Sequence, residues 1–454
     1  MRPLRILSAV LPLILAGPAA LAQTNFSETF FLTDSPTAYR FNPALNSGKD
    51  FIGTGGISLN SRGNVGATTF LFDSGGRTVT ALSKEIPAER FFSKLNKDNY
   101  VLIDLNTNLF SYGFTRDEAY HTVEVNARGN TGGTIPFDVF DIIKSGINKP
   151  DFDFSNTRSF ENIYLELAYG YSRQLTDIVS LGARAKLLIG LSSIDASFSK
   201  FSIGIDDQNV PRADFHAELF VAGRARTTKG YDGGTFLNPG PAARRAPLSF
   251  PAGLGMAVDL GIAITPNEYW TLSLSANNLG FLCWFYGLGG GVTAYIDPRP
   301  LETFASDDLT LAQLAAMGIV VVQQIQDSAT ITEGKMRVRA HTIPFCFNLG
   351  AKYKMPFYDR MSVGLTGHLT TYRTSPYWET RFGVTVRPLD WLDLSANLGY
   401  GSFGMLYGMM ASVGISRFHL NLATQRTVSG NIPLTFLPRD PYYRTLTLGL
   451  TFDL

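Results

Sequence analysis

The chain has 454 residues, 39 basic and 38 acidic, and that balance gives no electrostatic reason to bind nucleic acid. Only 17% of residues are charged, 12% are aromatic and 44 are Gly, less charge than an average water-soluble domain carries. No apolar run reaches the length of a membrane helix; the nearest, Leu309 to Ile325, is broken by Gln313, Gln323 and Gln324. If this chain spans a membrane it must do so as a closed barrel, because an open sheet edge cannot be satisfied in lipid.

The chain opens Met1-Arg2-Pro3-Leu4-Arg5, runs apolar from Ile6 to Leu15 and reaches Ala20-Leu21-Ala22 before Gln23. A basic start, a short apolar middle and small residues at the end predict a secretory signal peptide over residues 1–22. The mature chain is expected to start at Gln23. Without Arg2 and Arg5 the 39 basic residues fall to 37, against 38 acidic. No Cys follows the cleavage point, which argues against a lipid anchor.

Strand-like segments then recur. In Asn162 to Ser172 one face carries Ile163, Leu165, Leu167, Tyr169 and Tyr171; the other carries Tyr164, Glu166, Ala168 and Gly170. Val179 to Ile189 sets Val179, Leu181, Ala183, Ala185 and Leu187 against Ser180, Gly182, Arg184 and Lys186. Ala119 to Arg128, Met361 to Thr370, Phe382 to Arg387 and Leu392 to Tyr400 alternate in the same way. Period two with one apolar face predicts an all-β antiparallel transmembrane barrel, lipid outside and water inside. We count about 14 strands, with 12 to 16 compatible and an even number expected.

Several turns share a formula: Thr265-Pro266-Asn267-Glu268, Met355-Pro356-Phe357-Tyr358-Asp359 and Arg387-Pro388-Leu389-Asp390, with Gln174-Leu175-Thr176-Asp177 a looser version. Pro suits a tight turn because it fixes φ and lacks a donor. Short turns belong on the periplasmic side, and Trp270 and Trp391 just after two of them read as an aromatic girdle. Longer connections alternate with these: Ser74 to Asn99, Asn130 to Phe160, Thr227 to Pro251, Leu282 to Ala340 and Arg426 to Tyr442. They are expected to be extracellular. Ser306 to Ala329 reads as a helix packed at the barrel mouth. Ser192 to Arg226 fits either an extracellular hairpin extension or two more membrane strands. At the end, Leu446, Leu448, Leu450, Phe452 and Leu454 alternate with Thr445, Thr447, Gly449, Thr451 and Asp453. Thr447, Gly449, Phe452 and Leu454 resemble the C-terminal sorting signal that the barrel-assembly machinery reads in outer-membrane barrels.

The expected lumen-facing charges are Asp104, Glu124, Arg128, Glu166, Arg184, Lys186, Arg381, Arg387 and Asp393. Two readings stand: a charged pathway or constriction, or a polar interior crosslinked by ion pairs and water. His121, His216, His341, His368 and His419 form no metal-ligand spacing, and no Gly-His-x-Ser context accompanies His419 and Asn421. The sequence therefore implies no metal, no cofactor and no enzymatic activity. Cys283 and Cys346 flank the expected Leu282 to Ala340 loop, and passage through an oxidising periplasm predicts a disulfide between them, against two free thiols.

Before the first strand the chain reads Ser35-Pro36-Thr37-Ala38-Tyr39-Arg40-Phe41-Asn42-Pro43-Ala44-Leu45. The Asn42-Pro43-Ala44 triplet resembles that of FadL-type barrels of fatty-acid uptake and of PorV-like proteins of Bacteroidetes type IX secretion. The body pattern agrees: Tyr164 to Arg173, Leu181 to Gly190, Val258-Asp259-Leu260-Gly261, and Asn278-Leu279-Gly280-Phe281 with Trp284. Together these resemble an uncharacterised Bacteroidetes outer-membrane family, distantly FadL-like. The resemblance implies that residues 23–50 enter the barrel as a hatch and that residues 51–454 form the barrel. Three functions follow as expectations: passage or binding of a small hydrophobic compound; a PorV-like accessory role beside a secretion-complex protein; or a general porin. Outer-membrane lipid is an expected partner in each.

Overall fold

A computed structural model describes residues 27–32, 35–81, 83–145, 153, 156–205, 211–223, 226–229, 235–237, 244–245, 250–296, 330–331, 335–371, 376–428 and 442–454. The signal-peptide segment and the helix expected over Ser306 to Ala329 lie outside the described residues.

Fourteen antiparallel strands close into a barrel. β1 comes in two pieces, Phe51–Gly53 and Gly56–Gly63; β2 is Asp98–Arg116, β3 Ala119–Pro136, β4 Arg158–Gln174 and β5 Val179–Ile205. β6 is Gly253–Ile264, β7 Trp270–Ile296, β8 Phe345–Lys354, β9 Met361–Thr371 and β10 Tyr377–Leu389. β11 is Leu392–Gly401, β12 Gly404–Ile415, β13 Phe418–Thr427 and β14 Tyr442–Asp453. β14 closes the ring on β1, with Leu446 opposite Leu59, and the Leu454 amide donates to the Asp50 carbonyl at 3.0 Å. Among the described residues the closed ring leaves no barrel edge to lipid, as the bilayer requires.

The period-two pattern sorts side chains as the two solvents demand. Asn60, Asp104, Asn106, Glu166 and Thr445 are buried inside, while Leu349, Leu365, Met409 and Leu446 point outward. Trp270 and Trp391 stand outside at the short-turn end, Trp270 with its ring 4.7 Å from that of Tyr353. Trp378 and Tyr400 form an outward pair at the other end. In the 265–268 turn, Asn267 Oδ1 accepts from the Tyr269 and Trp270 amides at 3.0 and 3.1 Å. That short polar cap is what lets β7 restart directly on an aromatic residue.

Several strands outrun the bilayer, and this corrects three expected loop boundaries. β3 continues to Pro136 and β4 begins at Arg158, inside the expected Asn130 to Phe160 loop. β7 runs on to Ile296 although Leu282 was expected to open a loop. Its Gly-rich stretch, Gly287 to Gly291, reads as loop on composition, yet beyond the membrane it pairs with Pro211–Ala222 and with Lys335–Thr342. Pro211–Ala222 also pairs with the far end of β5, so the Ser192 to Arg226 region is an extension of a hairpin. Over the far ends of β2 and β3 a cap forms from a hairpin (Leu71–Ser74, Arg77–Thr80) and the helices Ala88–Phe92 and Phe137–Ser145. Phe72, Phe91, Phe140, Ile86 and Val79 make its core.

The expected disulfide is not formed; both cysteines are free. Cys283 stands opposite Ala340 on the outward face, and Cys346 stands opposite Asn277 and is buried inside. Strand register separates them, because β7 carries Cys283 well past the level where β8 begins. Maleimide labelling of the denatured chain is therefore expected to find both thiols with or without prior reduction. Labelling that appears only after reduction would contradict this.

Candidate functional site

One strand reads out the depth of the lumen. From the short-turn end upward, β4 presents Ser172, then Glu166, then Tyr164, Asn162, Phe160 and Arg158 to the interior. These mark three successive layers.

The lowest layer holds the N-terminal segment. Asn46 Nδ2 donates to Ser172 Oγ at 3.1 Å, and the Asn42 side chain donates to the Ile262 carbonyl at 2.8 Å and to Ser273 Oγ at 2.7 Å. Asn42 Oδ1 accepts from the Ala44 amide at 2.9 Å, a local turn that Pro43 preorganises. The seat beneath this triplet is a pair of glycines. Gly182 of β5 and Gly261 of β6 are register partners. A methyl group at Gly182 would collide with Pro43, and one at Gly261 with Asn42. Only a wall without side chains at both positions admits the triplet so closely. Further along, Phe30, Phe31 and Phe41 pack together, with Phe30 over Gly350 and Phe31 over Gly364 and Gly383. Lys352 Nζ donates to the Phe30 and Leu32 carbonyls, each at 3.2 Å.

The middle layer is ionic. Glu124 Oε1 accepts from Tyr39 OH and Arg40 Nε, each at 2.7 Å, and Glu124 Oε2 pairs with Arg184. Arg184 reaches Asp259 at 3.1 Å, Asp259 reaches Lys186 at 2.7 Å, and Glu166 holds Arg128 at 2.9 Å. Arg62 pairs with Asp104 at 2.5 Å, Arg381 with Glu379 at 2.9 Å, and Arg387 with Asp393 at 2.7 Å near the short-turn end. All nine expected lumen charges thus face inward and are paired. Of the two readings of that set, the geometry favours a crosslinked interior. The residues that sequence reasoning missed are Arg40, Arg62, Asp259 and Glu379, the partners that complete the pairs. Asp259 and Glu379 sit on the polar parity of their strands and could have been read from it.

Above these lies a chamber of about 250 Å³. Phe160, Tyr164, Leu282, Trp284, Ile343 and Phe345 give it an apolar lining, interleaved with the polar Asn130, Asn162, Arg158, Asp195 and His341; Phe160 stands opposite Asp195 in register. Asp195 is held by Arg158 and, at 3.0 Å, by Arg339. Two bulges aim the walls. The β6–β7 register shifts between Val258 and Leu260, where Asn278 of β7 takes a φ of 61°. Below it Leu272 and Leu274 face lipid; above it Leu279 and Phe281 do, so Leu282 and Trp284 turn inward. On β5, whose register with β4 shifts between Ile163 and Tyr164, Lys186 and Leu188 are inside below the bulge, and Ser193 and Asp195 above it. A bulge flips the face of everything beyond it, which is how two lipid-style strands come to wall a cavity. Trp284 lies flat over a second glycine pair, Gly190 and Gly253.

A protein-family model matches residues 43–425, most of the chain. The chain belongs to the DUF5723 family. It is described as a family of unknown function. No curated protein matches this DUF5723 member. Among solved structures, the toluene transporter TodX of P. putida is 12% identical, with 92% of this chain and 94% of that one covered at a TM-score of 0.43. The Ralstonia pickettii toluene transporter TbuX is 9% identical over 92% and 94%, at 0.47. A Pseudomonas aeruginosa FadL homologue is 13% identical over 93% and 95%, also at 0.47.

Proposed function

We propose that this outer-membrane barrel binds a small, mainly apolar compound in the chamber beneath its extracellular loops, and that the N-terminal segment closes the lumen below it. The observation that carries this reading is the chamber itself: a cluster of apolar side chains headed by Trp284, set above the ionic layer of the lumen. A dry cavity of about 150 Å³ takes a benzene ring, so 250 Å³ suits one substituted ring or a short branched chain. Such a ring buries about 150–250 Å². At about 25 cal/mol/Å² that is about 4–6 kcal/mol gross. The cost of association, at least about 4 kcal/mol, offsets most of this, so the expected Kd is weaker than about millimolar, which suits passage better than storage.

Titrating the intact protein in detergent with alkylbenzenes tests this. Phe160→Asp, which places a carboxylate in the apolar lining, is expected to weaken binding about tenfold. Equal affinity in the variant and the wild type would place the compound elsewhere. We also infer that Thr447, Gly449, Phe452 and Leu454, on the strand that closes the ring, are what the barrel-assembly machinery reads. A second reading, a scaffold barrel beside a secretion-complex protein, draws on the Phe-centred cap and the extramembrane sheet. Native extraction that always yields the chain alone would count against it.

A further inference from the structure

The outer wall carries one row of side chains that its lipid surroundings do not explain. Tyr407 of β12 is opposite Arg426 of β13, Arg426 is opposite Arg444 of β14, and Arg444 is opposite Ser61 of β1. All four point away from the lumen, since Leu406, Gln425, Thr445, Asn60 and Arg62 on the same strands are the buried inward residues. The next row toward the short turns is Met409, Thr424, Leu446 and Leu59, and the one after it is Ala411, Leu422, Leu448 and Ile57. One row further from the short turns stand Met405, Val428 and Tyr442, so the arginine row lies just inside the upper margin of the apolar band. From Phe452, at the short-turn end, to Arg444 the strand climbs about 20 Å at about 3.3 Å per residue and about 40° of tilt. With an apolar band about 25 Å tall, that height leaves about 5 Å to the headgroups, a distance an arginine side chain spans.

Two like charges directly across a strand pair repel. Arg426 lies over the Tyr407 ring at 5.0 Å, and Tyr442 OH meets Ser61 Oγ at 3.1 Å beside Arg444. No carboxylate pairs with either arginine among the described residues. Two guanidiniums side by side offer the forked donors that a phosphate group takes bidentately, flanked by hydroxyls from Tyr442 and Ser61. We propose that Arg426 and Arg444 form a binding site for the phosphate of an outer-leaflet glycolipid, whose acyl chains lie along the Leu446–Leu448 face. The bound phosphate removes the repulsion between the two arginines, and the lipid fixes the height of the seam where β14 closes on β1.

The test is native mass spectrometry of the full-length barrel in detergent, offered bisphosphorylated lipid A or its fully dephosphorylated form. Wild type is expected to retain the phosphorylated lipid at least tenfold better. The double variant Arg426→Gln/Arg444→Gln is expected to lose that preference while keeping the heat-modifiable gel mobility of a folded barrel, since removing two repelling charges leaves the ladder intact. The comparison of the two lipids on wild type needs no variant. Equal retention of the two lipids, or an undiminished preference in a folded double variant, would overturn the proposal. So would inorganic phosphate alone binding as tightly as the lipid, which would make the source a free anion.

Discussion

Deleting residues 27–47 is expected to raise the ion conductance of the barrel in planar bilayers at least tenfold over a near-silent wild type. The segment fills the lumen with Phe30, Phe31, Tyr39 and Phe41, all nearly free of solvent contact. Each buried aromatic contributes about 1.5–3 kcal/mol, and each hydrogen bond from Asn42 about 1 kcal/mol. A segment held by that many contacts stays seated, and its loss leaves a polar, water-filled space. The barrel itself is expected to survive the deletion, because strands β1 to β14 close without it. Folding is checked by gel mobility. A folded deletion variant that conducts no more than wild type would show that the segment is not the seal.

The second large effect belongs to Glu124. Its carboxylate touches both the inserted segment and the wall, accepting from Tyr39, Arg40 and Arg184. Glu124→Ala leaves two guanidiniums buried without that counter-charge. Breaking a buried pair on one side costs about 3–5 kcal/mol. The expected result is a lower unfolding temperature together with flickering conductance as the segment loosens. Glu124→Ala with Arg40→Ala is expected to recover part of the loss in stability, because one stranded charge leaves with its partner. If the double variant is as unstable as the sum of the singles, Arg40 and Glu124 are not coupled and the link between segment and wall lies elsewhere.

The barrel was legible because alternation along β3, β4, β5 and β11 is a direct imprint of two solvents on one sheet. The Asn42-Pro43-Ala44 triplet was legible as a motif, while its seat was not. Gly182 and Gly261 are far apart in sequence, and only register makes them partners. The charged layer was half visible: Glu124 and Arg184 follow from parity, whereas Arg40 comes from a segment with no period at all. The chamber was hidden for a different reason. Leu282 and Trp284 are apolar residues on a strand whose apolar residues normally face lipid, and composition cannot distinguish the two. The bulge at Asn278 is what redirects them, and a positive φ at an Asn leaves little trace in a pattern of alternation. The continuation of β7 past Leu282 is hidden in the sequence because glycines mark a turn in most contexts, yet a strand outside the membrane tolerates them.

The most direct measurement is photolabelling of the intact barrel in vesicles with a diazirine-bearing alkylbenzene, followed by peptide mapping. Saturable labelling on peptides carrying Phe160, Tyr164, Trp284 and Ile343, competed away by unlabelled alkylbenzene, is the predicted result. Labelling confined to lipid-facing positions such as Leu272, Leu349 and Leu365, with no competition, would contradict the chamber as the binding site.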